Sequence, residues 1–156
     1  MGRMNRIISL VISILGLVAI VIGAVFVFEG VSKNNLIVDR MNVEKVTLAV
    51  DPDNPNQLTQ IQNGADAQKA ADIIAEHRRG IAPSYQDLLG NGRFDPTNPK
   101  HLTYAQAMNL ENYLYLAVTA FGLIQVVMAA GAFMIVTGVA LGLTGLVLFR
   151  IPVKAS

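Results

Sequence analysis

Residues Leu114 to Phe149 read LYLAVTAFGLIQVVMAAGAFMIVTGVALGLTGLVLF, 36 positions without a charge, with Gln125 the most polar side chain among them. A straight helix of that length reaches about 54 Å, against a hydrocarbon core of about 30 Å. The stretch is therefore long enough to span a membrane and still leaves more than ten apolar residues to be covered elsewhere. If the span ends near Phe149, its outer edge falls near Val127, and Leu114 to Val126 project beyond it. A helix apolar on most faces needs protein around it, its own or a neighbouring copy's. Leu116, Phe121 and Ile124 are the residues expected to meet such a partner. A rival reading folds the stretch into two short spans turning near Ala129-Ala130-Gly131, but it offers no polar turn and would place Arg150 and Lys154 on the outer side.

Composition agrees. The chain has 156 residues, 53% hydrophobic and only 15% charged, where a soluble domain carries about 25% charged residues. A net charge of +1 gives no electrostatic case for nucleic acid. There is no cysteine, so disulfides, thiolate metal sites and cysteine nucleophiles are excluded. With no tryptophan, an interfacial aromatic belt would have to come from Tyr and Phe.

A second apolar run lies near the start. After the basic segment Met1 to Arg6, Ile7 to Phe28 is uncharged, and 16 of its 22 residues are Ile, Leu, Val or Phe. Its helical length is about 33 Å, one bilayer with slight tilt. A cleaved signal peptide is the alternative. The run is longer than the usual hydrophobic core of such peptides, and Val25-Phe26-Val27-Phe28-Glu29 offers no small-residue cleavage site. Arg3 and Arg6 precede the first run, Arg150 and Lys154 follow the second, and all eleven acids lie between Glu29 and Glu111. Short basic tails stay inside, so both termini are expected in the cytoplasm of a plasma-membrane protein and the middle is expected outside.

The expected fold class is a mainly α membrane protein, with two transmembrane helices and a small α-rich, minor-β exoplasmic domain inserted between them. Its parts are an N-tail (1–6), a first span (7–28), an exoplasmic domain (29–112), a long helix (113–149) that spans from about 127, and a C-tail (150–156). Gly30 to Leu36 reads as a polar exit linker. Asn42 to Val50, rich in Val and Thr, predicts a strand. Asp51-Pro-Asp-Asn-Pro-Asn56 reads as a turn; it lacks the loop Gly and closing Glu of an EF-hand. Ala65 to Arg79 predicts a helix capped by Asn63 and closed by Gly80. Ser84 with Asp87 marks a short helix, and Thr103 with Gln106 the start of the last one.

Small residues recur every seven positions in both apolar runs. Ser9, Gly16 and Gly23 mark the first; Gly131, Gly138 and Gly145 mark the second, and Gly142 makes a GxxxG pair with Gly138. Such a repeat keeps one face aligned between helices crossing at a shallow angle, and small residues let their backbones approach. Sequence leaves open whether the stripes meet within one chain or between chains.

The order of basic leader, first span, strand, the Ala65–His77 helix, Ser84-Tyr85-Gln-Asp-Leu88 and Thr119-Ala-Phe-Gly122 before a Gly-rich span resembles a group of small two-span bacterial membrane proteins. They are of actinobacterial type, of uncharacterised function, and often labelled automatically as aromatic ring-opening dioxygenase. The resemblance implies this architecture and no established activity, and it carries over no functional residue. His77 and His101 are the only histidines, and neither has a local ligand partner at i, i+4. No catalytic residue, cofactor-binding set or metal site is read, and the label is treated as a misnomer. The expected function is a non-enzymatic structural, assembly or accessory subunit. Its expected partners are the lipid bilayer and either further copies of the chain or a larger membrane complex. The alternatives are an oligomeric pore or transport component, with Thr119, Gln125, Thr137 and Thr144 facing a lumen, and, less favoured, a membrane-bound enzyme.

Overall fold

The computed structural model describes residues 2–49 and 58–150, so the Asp51–Asn56 turn and Lys154 lie outside the described residues. The elements run α1 (Gly2–Val43), β1 (Thr47–Ala49), β2 (Leu58–Gln60), α2 (Gly64–Ile81), α3 (Tyr85–Leu89) and α4 (Pro99–Arg150). Among the described residues two helices are long and apolar enough to cross a membrane: α1 from Met4, and α4. Only 11% of the most apolar 18-residue stretch of each is buried, which is far from the covering that a soluble protein gives its core helix. The chain divides into two compact units, one of residues 1–33 with 124–156 and the other of residues 34–123. Helices α1 and α4 contribute to both.

Several expected boundaries move. Gly30 to Leu36 is helical and not a linker, because α1 continues unbroken to Val43. Nothing in that stretch forbids a helix, and beyond it Ile37, Val38 and Met41 pack on the core of the second unit, which rewards continuation. The strand expected over Asn42 to Val50 accordingly begins only at Thr47, with Val50 outside the described residues, and Thr47–Ala49 pairs antiparallel with Leu58–Gln60 in the register Thr47 to Gln60. Helix α1 stops in a Schellman motif. The Val46 amide donates to Met41 O at 3.0 Å and the Lys45 amide to Asn42 O at 3.1 Å. Lys45 takes the left-handed position, φ 52°, where glycine is the usual choice. Lys45→Gly is expected to stabilise the second unit by about 1 kcal/mol, read as a rise in its unfolding midpoint; a fall would refute the strain.

Asn63 caps α2 as expected, its Oδ1 accepting from the Ala65 and Asp66 amides at 2.9 and 3.0 Å. Gly80 does not close the helix, which passes through to Ile81; the Ala82 amide donates to Arg78 O, and Pro83 follows. Ser84 caps α3, accepting from the Asp87 amide at 3.1 Å. Gly90, at φ 57°, ψ −122°, ends α3 in a conformation that suits only glycine. The last helix starts five residues early. Asn98 Oδ1 accepts from the Lys100 amide at 2.9 Å and Pro99 takes the first helical position, while Thr103 donates its hydroxyl to Pro99 O instead of capping. From there α4 is continuous, which removes the reading with a turn at Ala129–Gly131.

The core of the second unit gathers Ile61, Ala67, Ala70, Ala71, Leu114, Ala117 and Phe121. Ala67, Ala70 and Ala71 form one stripe of α2, and their small size lets that helix close on Leu114, Ala117 and Phe121 of α4. The fit extends to Gly64, where an added Cβ would come within 3.2 Å of Phe121 Cβ. Burying Phe121 contributes about 2–3 kcal/mol.

Candidate functional site

In the first unit the two stripes of small residues meet within one chain. Successive steps of seven up α1 are matched by steps of seven down α4. Ser9 donates its hydroxyl to Gly145 O. An added Cβ on Gly16 would lie 2.6 Å from Gly138 O and 2.7 Å from Gly142 N. One on Gly23 would lie 2.5 Å from Gly131 O, and one on Gly131 2.7 Å from Gly23 O. Gly142 works differently: its own Cβ direction is open, and its backbone is what lies against Gly16. Real Cβ atoms do not approach so closely, so the helices are antiparallel with their backbones in contact. Gly30, assigned from sequence to a linker, continues the seam against Met128.

The same register aligns the ends of the apolar stretches. Arg6 lies over the Phe149 ring, 6.0 Å from its centroid, next to Arg150 at the end of α4. At the far end the next seven-residue step past Gly23 reaches Gly30, beside Glu29 and Lys33, whose exposed pair at 4.0 Å contributes little stability. On the outer faces Ile14, Leu17, Phe133, Val136 and Leu143 are all more than half exposed.

The partner-facing residues expected from sequence do not stay together. Leu116 is 63% exposed, whereas Phe121 is 2% exposed. Ile124 is half-buried. Phe121 is therefore a correction: the chain covers it with its own α2, so a second copy has no access to it. Leu114 is covered in the same way. What remains open on α4 is a seam through Tyr113, Leu116 and Leu123, with a hollow of about 400 Å³ lined by Asn112, Tyr115, Leu116 and Thr119.

The second unit also holds a buried polar cluster that the sequence reading did not find. Arg78 donates through Nε to Glu111 Oε2 at 2.6 Å and through its terminal nitrogens to Glu111 Oε1 and the Tyr104 hydroxyl. Its guanidinium carbon lies 5.0 Å from the Tyr104 ring centroid. The Arg78 and Glu111 side chains are 13% and 11% exposed, and Tyr104 is fully buried. The hydrogen bond to Glu111 raises the Arg78 pKa against the opposing effect of burial. One signal was available: Glu111 is the only acidic or basic residue, histidine aside, between Lys100 and Arg150. A lone carboxylate on an otherwise apolar helix needs a cation.

Nearby, the Tyr115 hydroxyl donates to Asp72 Oδ1 at 2.9 Å, and this bond holds the Tyr115 pKa above its ordinary value. Asp95 is held below the usual carboxylate range, first by the Thr97 hydroxyl and then by the Thr97 amide. His101 Nδ1 accepts from the Asp95 amide at 3.0 Å, and its ring stacks on Phe94. Among the described residues no group of three or more His, Asp or Glu side chains is placed to hold a metal ion. No family model, curated protein or solved structure matches the chain.

Proposed function

We propose that this chain is a non-enzymatic, two-span integral membrane protein, acting as a structural or accessory subunit of an oligomeric membrane complex. The observation that carries the proposal is a division of apolar surface. The first unit spends its glycine faces on the intrachain seam and turns bulky aliphatic side chains outward on both helices, the surface that lipid rewards. In the second unit the Tyr113, Leu116 and Leu123 seam is left open beside a hollow able to take side chains from another polypeptide. The buried titratable groups there are engaged with one another, Arg78 with Glu111 and Tyr104, which is a structural use. The plasma-membrane location, with cytoplasmic termini and the second unit exoplasmic, rests on the basic residues flanking the spans. The likeness to small two-span bacterial proteins belongs to the same proposal.

A pore is the weaker reading. Within one hairpin the helix backbones touch and leave no lumen. Thr119 and Thr144 return their hydroxyls to Tyr115 O and Ala140 O of their own helix, at 3.0 and 2.8 Å.

Light scattering in a mild detergent tests the assembly. The protein mass in the particle is expected to be a fixed multiple of the 16.8 kDa chain. Leu116→Arg or Leu123→Arg is expected to reduce it to one chain with helix content unchanged. A wild-type particle holding a single chain, or variants of undiminished mass, would refute the subunit reading.

A further inference from the structure

The register of the first unit sets two cations at one end of the hairpin. Arg6 of α1 lies over the Phe149 ring of α4, and Arg150 is the next residue along. Both side chains are exposed. Glu29 is the only Asp or Glu in this unit; it stands 23 residues further along α1, about 34 Å away, and it pairs with Lys33. The carbonyl end of α4 favours Arg150, whereas the amide end of α1, with no acidic residue in its first turn, opposes Arg6. The missing counter-charge is an anion. Stacking on Phe149 occupies a face of the Arg6 guanidinium and leaves the N–H donors at its edge for an acceptor.

The surroundings name the source of that anion. Arg6 and Glu29 are separated by about one hydrocarbon thickness, about 30 Å, so with Glu29 in one headgroup layer Arg6 reaches the other. Leu10 lies one turn inward from Arg6 on the same face of α1, and Leu146 one turn inward from Arg150 on the same face of α4; they are 57% and 50% exposed. Each cation thus stands above bare apolar surface. We infer that Arg6 and Arg150 bind the headgroup of one anionic phospholipid, with the guanidinium groups on its phosphate and its alkyl chains along Leu10 and Leu146. A zwitterionic lipid offers the same phosphate but brings an ammonium beside two cations, so net charge selects the anionic headgroup. A soluble phosphate ester has the charge but no chain to lay on the leucines. The inference rests on the membrane reading above, which extraction of the chain from membranes by detergent but not by alkaline carbonate scores separately.

The test is native mass spectrometry of the full chain in a maltoside detergent, with phosphatidylglycerol and phosphatidylcholine of matched chains as competing probes. One phosphatidylglycerol per chain is expected to be retained in preference to phosphatidylcholine. Arg6→Gln and Arg150→Gln should each cut that preference about fivefold, the strength of one basic residue at an anionic surface, with helix content unchanged. Lys33→Gln, at the other end of the seam and paired with Glu29, should leave it intact. Excess glycerol phosphate should not displace the lipid. Equal retention of the two lipids by the wild type, a preference undiminished in either arginine variant, an equal loss in Lys33→Gln, or displacement by glycerol phosphate would each overturn the proposal.

Discussion

Arg78→Ala is expected to destabilise the second unit by about 3–5 kcal/mol, because it leaves Glu111 as a buried carboxylate without its cation. The loss should be localised. Arg78 stands near the end of α2 and Glu111 on α4, so amide exchange should rise first in α2. A second comparison separates the pair from simple packing. The double variant Arg78→Met/Glu111→Leu removes both charges and keeps apolar volume, so it should recover most of the stability lost in the single variant. Thermal unfolding in detergent, followed by circular dichroism, measures both. If the double variant is as unstable as Arg78→Ala, the cost lies in lost contacts, and the ion pair is not what holds α2 in place.

Gly16→Leu should open the hairpin of the first unit. The Cβ alone would stand 2.6 Å from Gly138 O and 2.7 Å from Gly142 N, both backbone atoms with no freedom to turn aside. Relief requires the helices to move apart, at the upper end of the cost of overpacking, about 3 kcal/mol or more. Gly142→Ala is the matched control: its Cβ direction is open, so stability should hold. Crosslinking of paired cysteines at Gly30 and Met128, whose Cβ atoms would lie 3.6 Å apart, introduced into a chain that has none of its own, reads the seam directly. The bond should form in the parent and fail in Gly16→Leu. No intrachain bond in the parent would show that the stripes do not meet within one chain, and equal crosslinking in both would show that Gly16 is not what keeps the helices together.

The seven-residue spacing of Ser9, Gly16 and Gly23, and of Gly131, Gly138 and Gly145, was plain in the sequence because helical periodicity is local. So were the Asn63 and Ser84 caps, which depend on side chains reaching amides two or three residues away. The continuation of α1 through Gly30 to Val43 was not legible. Its local propensity is indifferent, and the deciding contacts of Ile37, Val38 and Met41 are with residues distant in the chain. The start of α4 is ambiguous in the sequence for a different reason: Asn98-Pro99 and Thr103-Gln106 both carry start signals, and only the folded chain shows which one is used.

By itself, then, the sequence determined that two uncharged runs are each long enough to cross a bilayer, and that each carries a face of small residues. Hydropathy and spacing are properties of single segments, so no partner is needed to read them. The tertiary structure alone decided that the stripes face each other within the chain, that α2 covers Phe121 while Leu116 stays open, and that Arg78 neutralises Glu111. Each of those outcomes depends on which distant segment arrives opposite a given face, and periodicity along one segment does not contain that information.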